Sequence, residues 1–443
     1  MKKMIIGLCV LAGCGDDDPA APIDAGLDAT VPDAGPLSPS DLVEAAKLSP
    51  LPAVPADPTN AVAGNAKAAT LGQMLFFDKS YAGALAIGDD GTNGGLGAVG
   101  NTGKVSCASC HAAGSDAMDD RRTKPNNVSL GTGYGTRNAL GLVNASFYKW
   151  TNWAGRFDSQ WSLPLAVAEN AALMNSTRLE VAHMLYAKYR TEYNATFAVP
   201  LDAALDPAAI DAARFPPAGK PGQPAFDNMA AADKDILNTI YANYGKALAA
   251  YMRKLVSRHA PFDQFVAGDQ RAISLAAQRG FKIFLANCVS CHSGPNFADD
   301  SFHTLGVPQT GPRVPATDNG RFQDLPPLLA SAFNTNGNFS DDKTTGKLTG
   351  LAQEVAQTGQ FRTKSLRNLS LSGPFMHSGQ FASLDEVVAF YNMGGGTPPA
   401  NGTKDPKMVA LSLSMQAQSD LVAFMRTLSG EPVAAELLVD TSK

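Results

Sequence analysis

Two five-residue runs carry the chemistry of this chain: Cys107-Ala108-Ser109-Cys110-His111 and Cys288-Val289-Ser290-Cys291-His292. Each is a C-x-x-C-H run, the attachment pattern of c-type haem. Two thiols three positions apart can both add to the vinyl edge of one porphyrin. The next residue, His, is then held beneath the iron as its proximal ligand. A disulfide or a zinc corner competes for the same cysteines. A structural zinc takes four ligands, and the other Cys residues are Cys9 and Cys14. A redox C-x-x-C does not require the trailing His, which follows both times in a chain with 6 His. The pair predicts two covalently bound haem c groups and redox chemistry.

Apolar, patterned stretches must position these runs. Leu71-Gly72-Gln73-Met74-Leu75-Phe76-Phe77 precedes the first, and Gly280-Phe281-Lys282-Ile283-Phe284 precedes the second. After each comes an Arg-Asn pair, Arg137-Asn138 and Arg367-Asn368. This order predicts an internal duplication: two cytochrome c-like haem domains in tandem, over residues 41–258 and 259–443. The copies differ in their insertions, a Gly-rich loop over 83–103 in the first and a long loop between His292 and Arg367 in the second. Leu237, Tyr241, Tyr244, Leu248, Tyr251 and Leu255 alternate steps of four and three, one face of a helix over about 230–257. Such a stripe belongs to a core, and Pro261 lies near its end. Residues 177–193, 384–391 and 414–428 also read as helices. Strand signals are sparse, so the expected fold class is mainly α.

With 443 residues, 44% hydrophobic and 17% charged, the chain has the composition of a globular protein with room for two or three domains. The net charge is −5 and no basic run is present, which argues against nucleic acid as a partner. Lys2 and Lys3 followed by the short apolar run 4–12 read as a targeting signal. Leu11-Ala12-Gly13-Cys14 resembles a bacterial lipoprotein cleavage box, implying a signal peptide over 1–13 and a lipid on Cys14. An ordinary secretory signal is the alternative, and either one means export. Residues 14–40, rich in Asp, Ala and Pro, then form a disordered tether to the periplasmic side of a bacterial membrane. A second Pro/Ala-rich stretch, 49–65, is expected to pack loosely on the surface.

Taken together, these features resemble the bacterial di-haem cytochrome c peroxidase family, which includes the MauG-type enzymes. The resemblance spans about 71–396. Besides the haem runs it rests on Arg137-Asn138, Trp153-Ala154-Gly155-Arg156, Gly294-Pro295-Asn296-Phe297 and Phe302-His303-Thr304-Leu305-Gly306. It continues through 361–368, Pro374-Phe375-Met376-His377-Ser378-Gly379 and 384–391. It implies hydrogen peroxide as substrate and a small redox protein, a cytochrome c or a cupredoxin, as donor. By chain order His111 would hold the peroxidatic haem and His292 the electron-transfer haem. Trp153 resembles the family's tryptophan between the haems; Trp150 and Trp161 read as packing residues.

The resemblance also implies ligands. The family's sixth ligand to the second haem lies fourteen residues after the His of the Pro-aromatic-x-His motif, which from His377 is Tyr391. Many members have Met there and MauG-type enzymes have Tyr; Met393 is the rival ligand, and a plain core role for Tyr391 is a third reading. For the first haem, the activating His of some members corresponds to Asn127, so an open or water-bound iron is expected. His183 and His259 read as packing or surface residues. A calcium ion between the domains would take Asn138, Ser372 and Pro374, although Asn138 could equally cap a turn.

One departure stands out. The family's pocket Gln and Glu, ten and twenty residues after the tryptophan, are here Leu163 and Leu173, and a frequent Pro is Val167. A positioned acid/base is worth roughly 10²–10⁴-fold. Glu169, one helical turn before Leu173, is the candidate substitute, with a solvated carboxylate as the alternative. The leading expectation is a di-haem peroxidase. A MauG-type oxidase of a protein or organic substrate is the close alternative, and a non-catalytic electron-transfer protein the distant one.

The mass of the exported protein should exceed that of the polypeptide by two haems. Replacing Cys288 and Cys291 together by Ala should leave one, attached through Cys107 and Cys110. A wild-type mass without haem would end this reading.

Overall fold

The computed structural model describes residues 37–89, 91, 95–112 and 128–443. The signal peptide, Cys14, most of the expected tether and Asn127 lie outside the described residues. The chain is mainly helical, as expected. Helices in the first part are α1 (Pro39–Lys47), α2 (Ala66–Phe77), α3 (Cys107–Cys110), α4 (Ser162–Glu169), α5 (Arg178–Thr196), α6 (Pro224–Asp227) and α7 (Ala231–Met252). Those in the second are α8 (Pro261–Val266), α9 (Leu275–Asn287), α10 (Arg321–Leu329), α11 (Leu384–Asn392) and α12 (Met415–Arg426). Two short strands, β1 (Phe302–His303) and β2 (Phe361–Arg362), pair antiparallel with Phe302 opposite Arg362. Among the described residues no helix is long and apolar enough to cross a membrane.

The duplication is a pair of helix crossings. In the first, α2 lies on α7, and a Cβ on Gly72 would overlap the Ala247 carbonyl oxygen. In the second, α9 lies on α12, and a Cβ on Gly280 would overlap the Asp420 carbonyl oxygen. Only glycine lets the two backbones approach this closely. The stripe is core as expected, with Leu237, Tyr241, Tyr244, Leu248 and Tyr251 on α7 and Leu255 just past its end all at most 1% exposed.

The Arg-Asn pairs, however, are not the equivalent positions. Asn368 takes a left-handed conformation (φ 58°) before a three-residue 3-10 turn, and its counterpart is Asn144 (φ 62°), not Asn138. Asn144 N–H donates to the Leu255 carbonyl just past α7, and Asn368 N–H to the Leu428 carbonyl just past α12. Asn tolerates this backbone region better than other non-glycine residues, so the equivalence is one of backbone geometry.

Packing crosses the linear division of the chain at both ends. Helix α1 begins at Pro39, capped by Ser38 and Asp41 in a reciprocal capping box. Two residues assigned to the tether are therefore helical. Ala45 and Leu48 join the core of the second half, while Val433 joins that of the first. The 49–65 stretch is also pinned, against expectation. Ser49 Oγ donates to Asp263 (2.6 Å), Asn60 Nδ2 to the Lys246 carbonyl (3.1 Å), and Trp161 Nε1 to Thr59 Oγ1 (3.0 Å). Buried polar side chains at its ends find partners in both halves.

Gly280→Ala should cost about 3 kcal/mol, the upper range for overpacking, and lower the Tm by roughly 6–12 °C. Gly64→Ala, with open space around the added carbon, should be nearly neutral. Equal Tm losses in calorimetry would show that the crossing is not the constraint.

Candidate haem sites

The second run closes α9. Cys288 is its C-cap, and the chain turns at once through Val289 and Ser290 to Cys291 and His292. The His292 ring faces the Phe297 carbonyl with Nδ1 at 3.0 Å. A carbonyl only accepts, so Nδ1 carries the proton, and the ring also meets the Lys364 backbone. Burial, acting against the Phe297 bond, lowers the His292 pKa and favours the neutral ring a ligand requires.

Beside this ring lies a cavity of about 430 Å³ whose lining includes Cys288, Cys291, His292, Tyr391 and Trp153. Its size suits a cofactor. Burial, then the neighbouring Cys288 and Cys291, push the Tyr391 phenol well above its usual pKa, which sets it close to the attachment thiols. Met393 does not compete: it caps the end of α11 at 71% exposure, outside the lining. Two residues past Tyr391 the helix has ended, and the side chain faces solvent. Met408, which the sequence reading did not single out, does reach the lining.

His303 was also missed as a site residue. It lies beside Cys291, with Nδ1 2.7 Å from Asp405 and Nε2 3.1 Å from Asp299. Its pKa is raised to about 9, first by the Cys291 thiol and then, against burial, by Asp405. Once Cys291 is a thioether only the carboxylates remain to hold the ring protonated. The same chemistry removes Cys291, Asp299 and His303 as a metal triad, because a thioether is no thiolate ligand.

The wall toward the first half is built on Asn138. Its backbone N–H donates to the His377 carbonyl (2.8 Å), and its carbonyl accepts from Trp153 Nε1 (2.7 Å). Its side-chain Nδ2 donates to the Pro374 carbonyl (2.8 Å), while Oδ1 is buried without a partner. Ser372 and Pro374 line the same cavity. The His377 ring stacks on Phe361 (3.7 Å between centroids) and meets Trp153 edge-on at 6.4 Å. Burial holds its pKa down at about 3. Arg137 closes the back of this wall with a fork on Asp318 (2.6 and 2.7 Å) and a bond to Asp324 (2.7 Å).

The first run is α3 itself. Ser106 N–H donates to Ser109 Oγ (3.0 Å) at its start, and His111 N–H donates to the Cys107 carbonyl (2.9 Å) at its end. Cys107 packs on the first core beside Tyr81, and burial pushes its thiol up to about 12. Cys110 Sγ lies 3.7 Å from the Leu130 carbonyl. Two residues on, Thr132 N–H donates to the Leu173 carbonyl (2.9 Å), so Leu173 sits one segment from the haem run. Leu163 and Val167 occupy the half-buried side of α4.

Glu169 does not take the place expected for it. Helix α4 ends there, with Asn170 as C-cap, so no helical turn links it to Leu173. Both its oxygens are engaged by Arg178, Nε to Oε1 at 2.8 Å and Nη2 to Oε2 at 2.9 Å. The remaining histidines behave as structural groups. His183 is held among the Leu205, Phe215 and Pro216 carbonyls, and His259 pairs with Glu431 on the surface.

Comparison with known proteins agrees with this geometry. Residues 66–271 match the family model for di-haem cytochrome c peroxidase. The cytochrome-c peroxidase IdrP1 of Denitromonas iodatirespirans is 31% identical over 390 residues, 86% of each chain. The methylamine utilization protein MauG of Methylophilus methylotrophus is 29% identical over 82% of each. In fold, a MauG-like protein associated with microbial copper homeostasis superposes with a TM-score of 0.59 at 23% identity, covering 89% of this chain and 97% of that one. The diheme peroxidase BthA of Burkholderia thailandensis gives 0.56 at 20%, over 86% and 91%. With two attachment runs, each seated against one crossing of a duplicated helix pair, and with this similarity along most of its length, the chain belongs to the di-haem cytochrome c peroxidase family.

Proposed function

We propose that this chain reduces hydrogen peroxide to water at the His111 site, with electrons from a small cytochrome c or cupredoxin entering at the His292 site. The observation that carries the reading is the cavity in which neutral His292, both attachment thiols and Tyr391 share one lining. Bound haem would supply the one-electron chemistry, held by His111 at the first site and by His292 at the second. The donor set fits such a group, because the buried, neutral His292 imidazole and the Tyr391 phenol line the same cavity as both attachment thiols. Trp153, anchored by the Asn138 carbonyl, is the ring in the wall suited to pass electrons between the halves. Apolar Leu163, Val167 and Leu173 supply no proton, so peroxide cleavage is slower here than beside a positioned acid.

A calcium ion fits the wall. The buried Asn138 Oδ1 lacks a partner while its amide turns to the Pro374 carbonyl. An ion taking both oxygens with the Ser372 carbonyl and water would satisfy each. Export with a lipid on Cys14 completes the reading. A MauG-type oxidation of a protein or organic substrate is the second reading, favoured by Tyr391 rather than a Met in the cavity, since a phenolate donates more strongly to oxidised iron than a thioether.

Electron paramagnetic resonance of the oxidised holoprotein should show one high-spin and one low-spin haem. Tyr391→Phe should perturb the low-spin signal and leave the other. Two low-spin irons that persist after partial reduction, with no turnover of peroxide by reduced cytochrome c, would leave an electron-transfer protein instead.

Glu169→Gln should lower stability by about 3–5 kcal/mol by stranding the buried Arg178, with little change in the peroxide step of the folded fraction. Leu173→Glu should speed that step by roughly 10²-fold. Stopped-flow rates that collapse in Glu169→Gln would instead make Glu169 the acid/base.

A further inference from the structure

We propose that Arg362 binds a carboxylate of the second haem, one of its propionates, and so ties the edge of that cofactor to the Trp153 loop. The proposal rests on the reading that the large cavity holds the second haem, and it adds an anchor to that site.

Arg362 ends β2 and is 6% exposed. Its backbone N–H donates to the Trp153 carbonyl (2.9 Å) and its Nε to the Asn152 carbonyl (3.0 Å). The guanidinium lies 3.5 Å from the centroid of the Tyr148 ring. Its Nη1 is buried and has no partner, and the residue lines the cavity. Among the described residues no carboxylate pairs with it. The nearby Asp299 is taken by Ser301 N–H (2.9 Å) and by His303 (3.1 Å).

Three other buried arginines have carboxylate partners, whereas Arg321, also buried, has none within ion-pair distance among the described residues and lies over the Phe302 ring, 3.8 Å from its centroid. Arg137 meets Asp318 and Asp324, Arg178 meets Glu169, and Arg367 meets Asp263. A guanidinium cannot shed its proton, and a buried charge without a counter-ion is strongly disfavoured. What Arg362 lacks is an anion reaching it from the cavity. Lys364 lines the same corner, with its ammonium 5.2 Å from the Tyr148 ring. The Tyr148 phenol registers the surplus positive charge: burial alone would raise its pKa, yet Lys364 and Arg362 bring it down to about 8. A haem carries two carboxylates on one edge, and a guanidinium fork matches a carboxylate in plane and spacing. Because the same residue holds the Trp153 carbonyl, the anchor would fix the haem edge relative to the inter-domain tryptophan.

The test uses the full-length holoprotein. Arg362→Gln removes a positive charge that favours the reduced haem. Spectroelectrochemical titration should show the low-spin haem about tenfold more readily oxidised, a fall of ~59 mV for one electron, with the high-spin haem unmoved. An unchanged low-spin potential at full haem content would overturn the proposal. A wild-type protein that binds a single haem would instead overturn the functional reading beneath it. Arg362→Lys keeps the charge and serves if the Gln variant does not fold. The propionate bending band in its resonance Raman spectrum should shift as the fork becomes a single ammonium, and an unshifted band would count against the assignment. A wild-type low-spin potential that moves with added chloride or phosphate at constant ionic strength would mean that Arg362 holds a free anion, and the propionate assignment would fail.

Discussion

The close backbone approach of two helices, made twice, is the contact on which the molecule depends. Gly72 lies on the Ala247 carbonyl and Gly280 on the Asp420 carbonyl. Any side chain there would push the helices apart, and the consequences would reach the sites directly. In the second half, α9 delivers Cys288 at its end while α12 contributes Leu421 and Met425 to the cavity lining. Their separation therefore sets the width of the pocket. The closeness also lets Arg279, on the turn before the second crossing glycine, form a fork with Asp420 (2.7 and 2.8 Å). The same geometry continues past each crossing, where Asn144 and Asn368 bond to carbonyls that follow α7 and α12. The duplication is thus a repeat of backbone contacts more than of side chains.

Charge joins what the crossings build. Arg367 reaches Asp263 with two bonds of 2.9 Å, and its Nη2 also donates to the Leu48 carbonyl (3.2 Å), fastening the segment after α1 to the second core. Arg137 does the equivalent between the halves, through Asp318 and Asp324. Removing one partner of such a buried pair costs about 3–5 kcal/mol, so Arg137 locks the halves together and Arg367 braces the second core. Between them sits the wall of Asn138, Trp153 and His377. Trp153 is held at three points: the Asn138 carbonyl takes its indole N–H, the Arg362 N–H meets its carbonyl, and the Asn152 side chain meets its own N–H. A ring so held is suited to a fixed electron path, since its distance to either side cannot drift.

Much of this was legible in the sequence, and the exceptions have physical causes. The C-x-x-C-H runs and the α7 stripe are local patterns, and locality is what a sequence displays. Glu169 was misjudged because a one-turn argument needs the helix to continue, and α4 stops at that residue. Its true partner, Arg178, lies beyond the turn in another helix. Asn138 and Asn368 share a neighbour in sequence but not a backbone state; Asn144 and Asn368 share the state. The Ser38 to Asp41 capping box was readable, yet it sits among residues whose composition suggests a tether. Where α1 packs depends on Arg367, more than three hundred residues away. Arg362 and His303 stand in stretches that carry the resemblance, but neither takes a role from the sequence, because their meaning comes from the cavity they face.

The two haem sites differ in electrostatic character, and the difference bears on how they could divide labour. Around the first, the nearby α4 side chains are apolar, and Glu169 is spent on Arg178. Around the second, Arg362 and Lys364 bring positive charge to the lining, while His303 is matched by Asp299 and Asp405. In the proposed ligand set Tyr391 donates strongly and stabilises oxidised iron, whereas Met in its place would raise the potential. Positive groups at the cavity wall act in the opposite sense, because they favour the form with one more electron. In a low-dielectric site such charges act over longer distances than in water. The second haem would then combine a ligand that tolerates high oxidation with a wall that keeps it reducible by a donor protein. Neither property alone suits a centre that must both accept electrons and share oxidising equivalents through Trp153. Under the proposed function, their opposition in one cavity would let a single iron do both.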